Sequence, residues 1–318
     1  MVQIQKQPIM LKVLYGLAPL GLAGLYWYGW RVLLIYAIVF AFGLASESLM
    51  AKYFKMKTST SVFVSCALYA LSLPPTVPLW IAAVGIVFGI VFGKMVFGGF
   101  GKNIFNPAIT GRAFIYTSFG VPMTSQFIPT AVEAHGWFPG GFGVYLPRGV
   151  DAVGAATPLT VQAEGTAVGF LDLFIGVVPG SIGEASALLV LLGGLYIIWK
   201  KAANWRLTVS SIAAFLVMQT IFFAAGVDGA INPVYALVSG SFLLGAFFMI
   251  TDPISASQST NLGRWIYGAT FGVLTVLIRV FSNWPEAISF SILLVNMFAP
   301  LLDHLIKMYN TRQKEVRE

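Results

Sequence analysis

The chain has 318 residues, is 58% hydrophobic and only 10% charged, and has a mean hydropathy of +0.82. That balance excludes an ordinary soluble domain, because too few polar residues remain to cover a water-facing surface. The net charge of +7 does not make a nucleic-acid binder, since the basic residues are scattered between apolar runs and form no basic face interleaved with aromatics.

Lys6 and Lys12 precede an apolar run from Val13 to Tyr28, the layout of a signal peptide. No small-residue cleavage site precedes the next run, so the segment is read as a retained first helix. About 20 apolar residues cross a bilayer as a helix. On that measure the spacing predicts spans at residues 10–28, 31–54, 59–73, 77–97 and 108–121, then at 185–199, 205–225, 231–250, 263–281 and 285–308. The expected fold is an all-α polytopic membrane protein of about ten transmembrane helices. It divides into a first transmembrane half (1–121), an extracytoplasmic loop (122–182) and a second transmembrane half (183–318), within a single membrane domain.

With the N-terminus inside, all 19 basic residues except Arg31, Arg148 and Arg279 fall on cytoplasmic ends and loops. This positive-inside skew puts both termini in the cytoplasm and the long loop outside. Gly93 is followed 18 residues later by Gly111-Arg112, and Gly245 is followed 18 residues later by Gly263-Arg264. The shared offset of 152 suggests two halves of five spans each, which must then be inverted relative to one another.

Two polar, glycine- or proline-rich stretches interrupt the apolar pattern: Gly98-Gly99-Phe100-Gly101-Lys102-Asn103-Ile104-Phe105-Asn106-Pro107-Ala108, and Thr251-Asp252-Pro253-Ile254-Ser255-Ala256-Ser257. Each is either an ordinary cytoplasmic turn or irregular backbone lining a cavity, which frees carbonyls and helix ends to coordinate a ligand or ion. Glu47, Asp252 and Asp303 lie within or beside spans. A mid-bilayer carboxylate costs roughly 2.5–3.5 kcal/mol on insertion scales, so each needs a partner or a task. Lys52, Lys55 and Lys307 are the expected partners, and pairing is the reading preferred over ion conduction.

Cys66 is the only cysteine, so the chain forms no internal disulfide and cannot ligate an iron–sulfur cluster by itself. The two histidines, His135 in the polar loop and His304 near the last span's end, fall on opposite sides and exclude a haem held between them. The apolar stretch from Val168 to Val178, interrupted by Asp172, is too short to span and reads as an interfacial or re-entrant helix.

Within the outer loop lies Asp151-Ala152-Val153-Gly154-Ala155-Ala156-Thr157-Pro158-Leu159. Small residues at 154–156 permit close approach of a bulky group, their amides can form an anion-binding nest, and Pro158 keeps Thr157 extended. A phosphate ester on Thr157 fits this setting, as does a solvated turn with an unmodified hydroxyl.

The stretch resembles the flavinylation motif, Asp-x-x-Ser/Thr-Gly-Ala-Thr, of a family that comprises the D subunit of the Rnf electron-transport complex (RnfD) and the B subunit of the sodium-translocating NADH:quinone oxidoreductase (NqrB). Gly154 and Ala155 depart from that motif, while Asp151, Thr157 and Pro158-Leu159 keep it. The segment from Gly98 to Ala108 is similar to the family's Gly-Gly-x-Gly-x-Asn-x-Phe-Asn-Pro-Ala. The stretch from Thr251 through Gly263-Arg264, and the final Asn296-Met297-Phe298-Ala299-Pro300-Leu301-Leu302-Asp303, are similar to its C-terminal pattern.

The resemblance implies a urea-channel-like fold and covalent FMN on Thr157, attached by a flavin transferase. It implies a second, noncovalent flavin (riboflavin), for which Asn103 and Asn106 are the candidate contacts. It also implies electron transfer beside the other Rnf subunits (A, B, C, E and G), above all G, the other one that bears covalent FMN. The implied assembly is an ion-translocating ferredoxin:NAD oxidoreductase that moves Na⁺ or H⁺. The length suits the Rnf member of the family. No catalytic acid, base, nucleophile or metal is expected in the chain. The rival readings are a channel or secondary transporter, with Asn-Pro turns at Asn106-Pro107 and Asn232-Pro233, and a flavin-free scaffold. An aquaporin is a poor match, since Ile109 stands where that family has arginine.

Overall fold

The computed structural model describes residues 4–124, 126–147, 168–184, 186–257, 260–282 and 287–315. Helices make up nearly all of the regular structure. In chain order they are α1 (Pro8–Tyr28), α2 (Arg31–Tyr53), α3 (Ser61–Leu71), α4 (Leu79–Ile90), α5 (Pro107–Ser118), α6 (Gly120–Thr124) and α7 (Ala131–His135). There follow α8 (Phe170–Ile175), α9 (Ala187–Trp199), α10 (Trp205–Ala224), α11 (Pro233–Val238), α12 (Phe242–Leu244), α13 (Asn261–Phe281) and α14 (Ala287–Glu315). Five of them, α1, α2, α10, α13 and α14, are long and apolar enough to cross a membrane, and shorter apolar helices lie between them. The chain is therefore a polytopic all-α membrane protein.

Local sequence sets most helix starts. Asn106, Asn204 and Asn232 each cap a helix by accepting the amide two residues on, and Ser186 and Thr260 accept the amide three residues on. Proline follows the cap at 107 and 233, where its missing N–H is no loss. The Asn-Pro pairs are thus helix N-termini. The expected continuous span at 231–250 is broken: α11 ends at Val238, and Gly240 turns the chain at φ +69° before α12 begins. The stretch 168–178 contains a short helix, α8, stopped by Gly176 in the left-handed region.

Hydrogen bonds distinguish the two ends of the bundle. At one end Ile4–Gln5 pairs in parallel with Thr58–Ser59, Lys12 Nζ reaches the carbonyl of Lys200 (3.1 Å), and Ser257 meets Asp303 on α14 (2.5 Å). At the other, Tyr28 Oη donates to the carbonyl of Val178 (3.2 Å), and the amide of Ile182 donates to that of Leu73 (3.0 Å). Both described termini belong to the first end. The residues that flank segment 148–167 belong to the second.

Two arginines expected outside, Arg31 and Arg279, are at that second end, where each holds freed backbone. Arg31 donates to the carbonyls of Pro75 (3.0 Å), Thr76 (3.2 Å) and Val77 (2.9 Å), and Arg279 to those of Ala236 (2.8 Å) and Ser239 (3.2 Å). Their charge is held by backbone dipoles, which accounts for two exceptions to the positive-inside skew. Arg148 lies outside the described residues.

Among the described residues the α10–α13 pair makes the most extensive helix–helix contact, and Gly268 and Gly272 bring its backbones together in a Gly-x-x-x-Gly arrangement. A Cβ on Gly272 would stand 2.3 Å from the carbonyl oxygen of Ser211. Gly272→Ala is therefore expected to lower stability by about 1–3 kcal/mol through overpacking. Gly120→Ala, where a Cβ meets nothing within 4 Å, should leave it unchanged. Parallel unfolding curves in one detergent check both, and equal midpoints would refute the close-contact argument.

Candidate functional site

The two polar interruptions of the sequence meet in space. Each is preceded by a π-helical turn, Val91–Met95 continuing α4 and Gly245–Met249 continuing α12. Such turns widen the helix and mark functional positions more often than ordinary helix does. After the first, Gly98, Gly99 and Gly101 adopt φ of +107°, +82° and +91°, conformations that a side chain resists, and the chain doubles back to Asn106 at the start of α5.

Asn106 is buried and fixes this reversal. Its Oδ1 accepts the amide of Ala108 (3.0 Å), its Nδ2 donates to the carbonyl of Met249 in the second π turn (3.4 Å), and its own amide donates to Asn296 Oδ1 on α14 (3.1 Å). Asn296 in turn donates to the carbonyl of Ser255 (3.1 Å) and to Tyr267 Oη (2.6 Å). One fully buried amide therefore bonds both interruptions. Asn103, also buried, donates to the carbonyl of Phe105 (3.0 Å).

The first π turn carries Lys94 into the interior, 1% exposed. Its Nζ lies 2.5 Å from Glu47 Oε2 on α2 and donates to Ser59 Oγ (2.9 Å) and Ser61 Oγ (2.7 Å). Glu47 Oε1 accepts the amide (2.8 Å) and hydroxyl (3.0 Å) of Ser59. Both charges have several hydrogen-bond partners as well as each other, which is the condition under which a buried pair is tolerated.

The expected pairing of Glu47 with Lys52 or Lys55 is thus corrected. The partner is Lys94, reached across the bundle and not along the helix. Asp252 and Asp303 likewise use neighbours other than lysine. Asp252 accepts from Ser255 Oγ (2.8 Å) and the amide of Ile254 (3.3 Å), and Asp303 accepts from Ser257 Oγ.

Between these groups is a cavity of about 40 Å³, lined by Lys94, Ser61, Asn103, Asn106 and Asp252 among others. It has room for a few water molecules and offers both a cationic and a carboxylate wall. A flavin ring system, which needs a pocket of hundreds of Å³, does not fit it as it stands. The arrangement suits a small polar species, such as water or a monovalent ion, held where freed backbone and two charged residues converge.

Asp151, Gly154, Ala155, Ala156, Thr157 and Pro158 lie outside the described residues. Their flanks are anchored at the end of the bundle opposite the termini. The amides of Trp30 and Arg31 donate to the carbonyls of Val144 (3.0 Å) and Tyr145 (2.9 Å) before the segment, and Tyr28 holds Val178 after it.

Lys94, Ser59, Ser61 and Asn296 were not singled out by the sequence as site residues. Lys94 did carry a signal, since a cation inside the predicted span 77–97 calls for a carboxylate at similar depth, and Glu47 is one.

Residues 2–312 match the model of the NQR2, RnfD, RnfE family. The chain is 39% identical over 290 residues to the B subunit of the Na⁺-translocating NADH-quinone reductase of Klebsiella pneumoniae, and equally so to that of Neisseria meningitidis serogroup B. It is 38% identical over 297 residues to the protein of the same name from Ectopseudomonas mendocina. Each match covers 89% of this chain and 68% of the relative. With its motifs, its helical membrane fold and these matches in agreement, the chain belongs to the NQR2, RnfD, RnfE family.

Proposed function

We propose that this chain is the D subunit of an Rnf-type complex and carries FMN covalently on Thr157. In this reading it is part of an ion-translocating oxidoreductase in the inner (plasma) membrane of a bacterium or archaeon, and it relays electrons between partner subunits while the complex moves Na⁺ or H⁺. The named relatives are subunits of a Na⁺-translocating NADH-quinone reductase, which supports a membrane role in a redox-driven translocase. The family match over residues 2–312 takes in the flavin motif and both polar interruptions.

The observation that carries the reading is the placement of the motif's flanks. The described residues on either side of segment 148–167 bond to the bundle at the end away from both described termini, and the basic loops around Lys55 and Lys200 are at the terminal end. With the positive-inside rule, that arrangement supports an extracytoplasmic Thr157, on the face where a flavin transferase works. The alternation of helix direction between the two ends also supports ten traverses in two inverted five-helix halves with a urea-channel-like plan. The partners are then the other Rnf subunits, A, B, C, E and G.

A bound flavin supplies the electron transfer, and the protein supplies position and shielding from water. The small residues Gly154, Ala155 and Ala156 would allow the group to lie against backbone, and Asp151 and Pro158 bracket the acceptor in the sequence. A noncovalent riboflavin contacting Asn103 and Asn106 requires the polar cavity to widen beyond its present volume. Asn103→Ala and Asn106→Ala variants that retain the full riboflavin content of the purified protein would remove that assignment.

The second reading, a channel or secondary transporter without a redox cofactor, is favoured by the convergence of two helix breaks on one polar cavity. Intact mass separates the two. The full chain expressed with a flavin transferase is expected to carry the added mass of FMN less one water, and Thr157→Ala should lack it. Masses that match the unmodified sequence in both proteins would leave the channel as the better reading.

A further inference from the structure

We infer that the loop at residues 136–147 is an interfacial anchor, seated in the headgroup–acyl boundary of the bilayer at the end of the bundle opposite the termini. The stretch Gly-Trp-Phe-Pro-Gly-Gly-Phe-Gly-Val-Tyr-Leu-Pro contains no charged residue, although His135 and Arg148 immediately flank it. Phe138 and Trp137 are turned out from the bundle, while Phe142 packs on Tyr26 and the Tyr145 hydroxyl accepts from Arg31 (3.3 Å), each with about half of its surface left exposed. Phe138 is 93% exposed, Trp137 61%, Tyr145 52% and Phe142 50%. Water is a poor solvent for such a cluster, and contiguous exposed apolar surface marks an interaction site.

The depth of the loop is set by its bonds to the turn between α1 and α2. These helices have 21 and 23 residues. At 1.5 Å per residue they run to about 32–35 Å, close to the ~30 Å hydrocarbon core. The turn at Gly29 and Trp30 therefore lies at a membrane boundary. The loop is fastened to that turn at several points. Tyr26 Oη donates to the carbonyl of Trp137 (2.5 Å), Trp30 Nε1 to that of Phe142 (2.7 Å), and the amides of Trp30 and Arg31 to Val144 and Tyr145. The rings of Tyr26 and Phe142 are in contact, with centroids 5.5 Å apart.

This combination selects lipid as the occupant. Tyr26 and Trp30 spend their polar atoms on the loop backbone, which leaves the exposed Trp30 ring for the surroundings. Aromatic rings held at headgroup level by helix ends are the recurring solution at membrane interfaces. The opposite end of the bundle has the same chemistry. Trp199 and Trp205 are exposed at helix ends, with Lys200 and Arg206 stacked over their rings at 4.0 and 4.9 Å. The loop extends an aromatic belt that the helix ends have already begun. It also fixes the leading flank of segment 148–167 at the membrane surface.

The single cysteine, buried against the carbonyl of Val39, makes the test direct. In a Cys66→Ala background, Phe138→Cys and the loop's neighbour His135→Cys are each labelled with an environment-sensitive fluorophore, and the full chain is placed in lipid nanodiscs. The label at 138 is expected to be quenched several-fold more by a lipid spin-labelled near the headgroup than by aqueous iodide, with the reverse at 135. Trp137→Cys serves as a second reporter if Phe138→Cys does not fold. Iodide quenching at 138 equal to that at 135 would overturn the inference in favour of a solvated loop. Shielding from both quenchers would overturn it in favour of a protein contact.

Discussion

Replacing Lys94 by methionine is expected to destabilise the folded protein by about 3–5 kcal/mol, the range for breaking a buried ion pair by removing one partner. Methionine keeps the length and most of the volume of the side chain, so the loss comes from what is left behind. Glu47 would remain 1% exposed, with only the amide and hydroxyl of Ser59 to hold its charge. Ser59 and Ser61 would each lose a donor as well. Glu47→Gln in the same chain should recover a large part of the loss, because it removes the unpaired charge and keeps an acceptor for Ser59. The measurement is equilibrium unfolding in one detergent of the wild type, the two single variants and the double variant. A Lys94→Met protein that unfolds with the wild type would show that the pair contributes nothing and that the interior is wet enough to solvate Glu47.

That experiment also bears on how far the site is legible in the sequence. The carboxylate at 47 is conspicuous because it interrupts an apolar run, and so is the lysine at 94. Local reasoning matched Glu47 with basic residues at the end of its own helix, Lys52 and Lys55. The bundle matches it with a residue 47 positions away, because a π turn redirects Lys94 toward α2 and places Ser59 and Ser61 beside both charges. Hydropathy does not encode a π turn, and no periodicity announces one.

The same limit explains the broken segment at 231–250. Its apolar length reads as one helix, while Gly240 and Arg279, which takes up the carbonyls of Ala236 and Ser239, divide it. By contrast, the polar stretches around Asn106 and Asp252 were legible as a candidate site beside the reading as ordinary turns, since irregular backbone in an apolar setting needs a reason. The Asn-Pro pairs resolve into helix caps, a role that their residue types carry on their face. What joins the two stretches, Asn296, was visible only as part of a C-terminal pattern.

Asn296 therefore supplies the second large effect. Asn296→Leu should lower stability by at least ~3 kcal/mol, because three buried groups on three elements lose their partner at once, and each unsatisfied group costs about 1–3 kcal/mol. Those groups are the amide of Asn106, the carbonyl of Ser255 and the hydroxyl of Tyr267. Tyr267→Phe removes only the last of these bonds and takes the polar atom away with it, so its cost should stay near ~1 kcal/mol.

The difference between the two variants isolates the bonds that tie the interruptions together. If the polar cavity operates through the relative position of its two walls, the variants should separate in function as well. Asn296→Leu in the assembled complex would lose ion translocation under conditions where it remains folded, and Tyr267→Phe would retain it. An Asn296→Leu protein with wild-type unfolding and translocation would mean that Asn106 Nδ2 and the carbonyl of Met249 are enough to hold the walls in register.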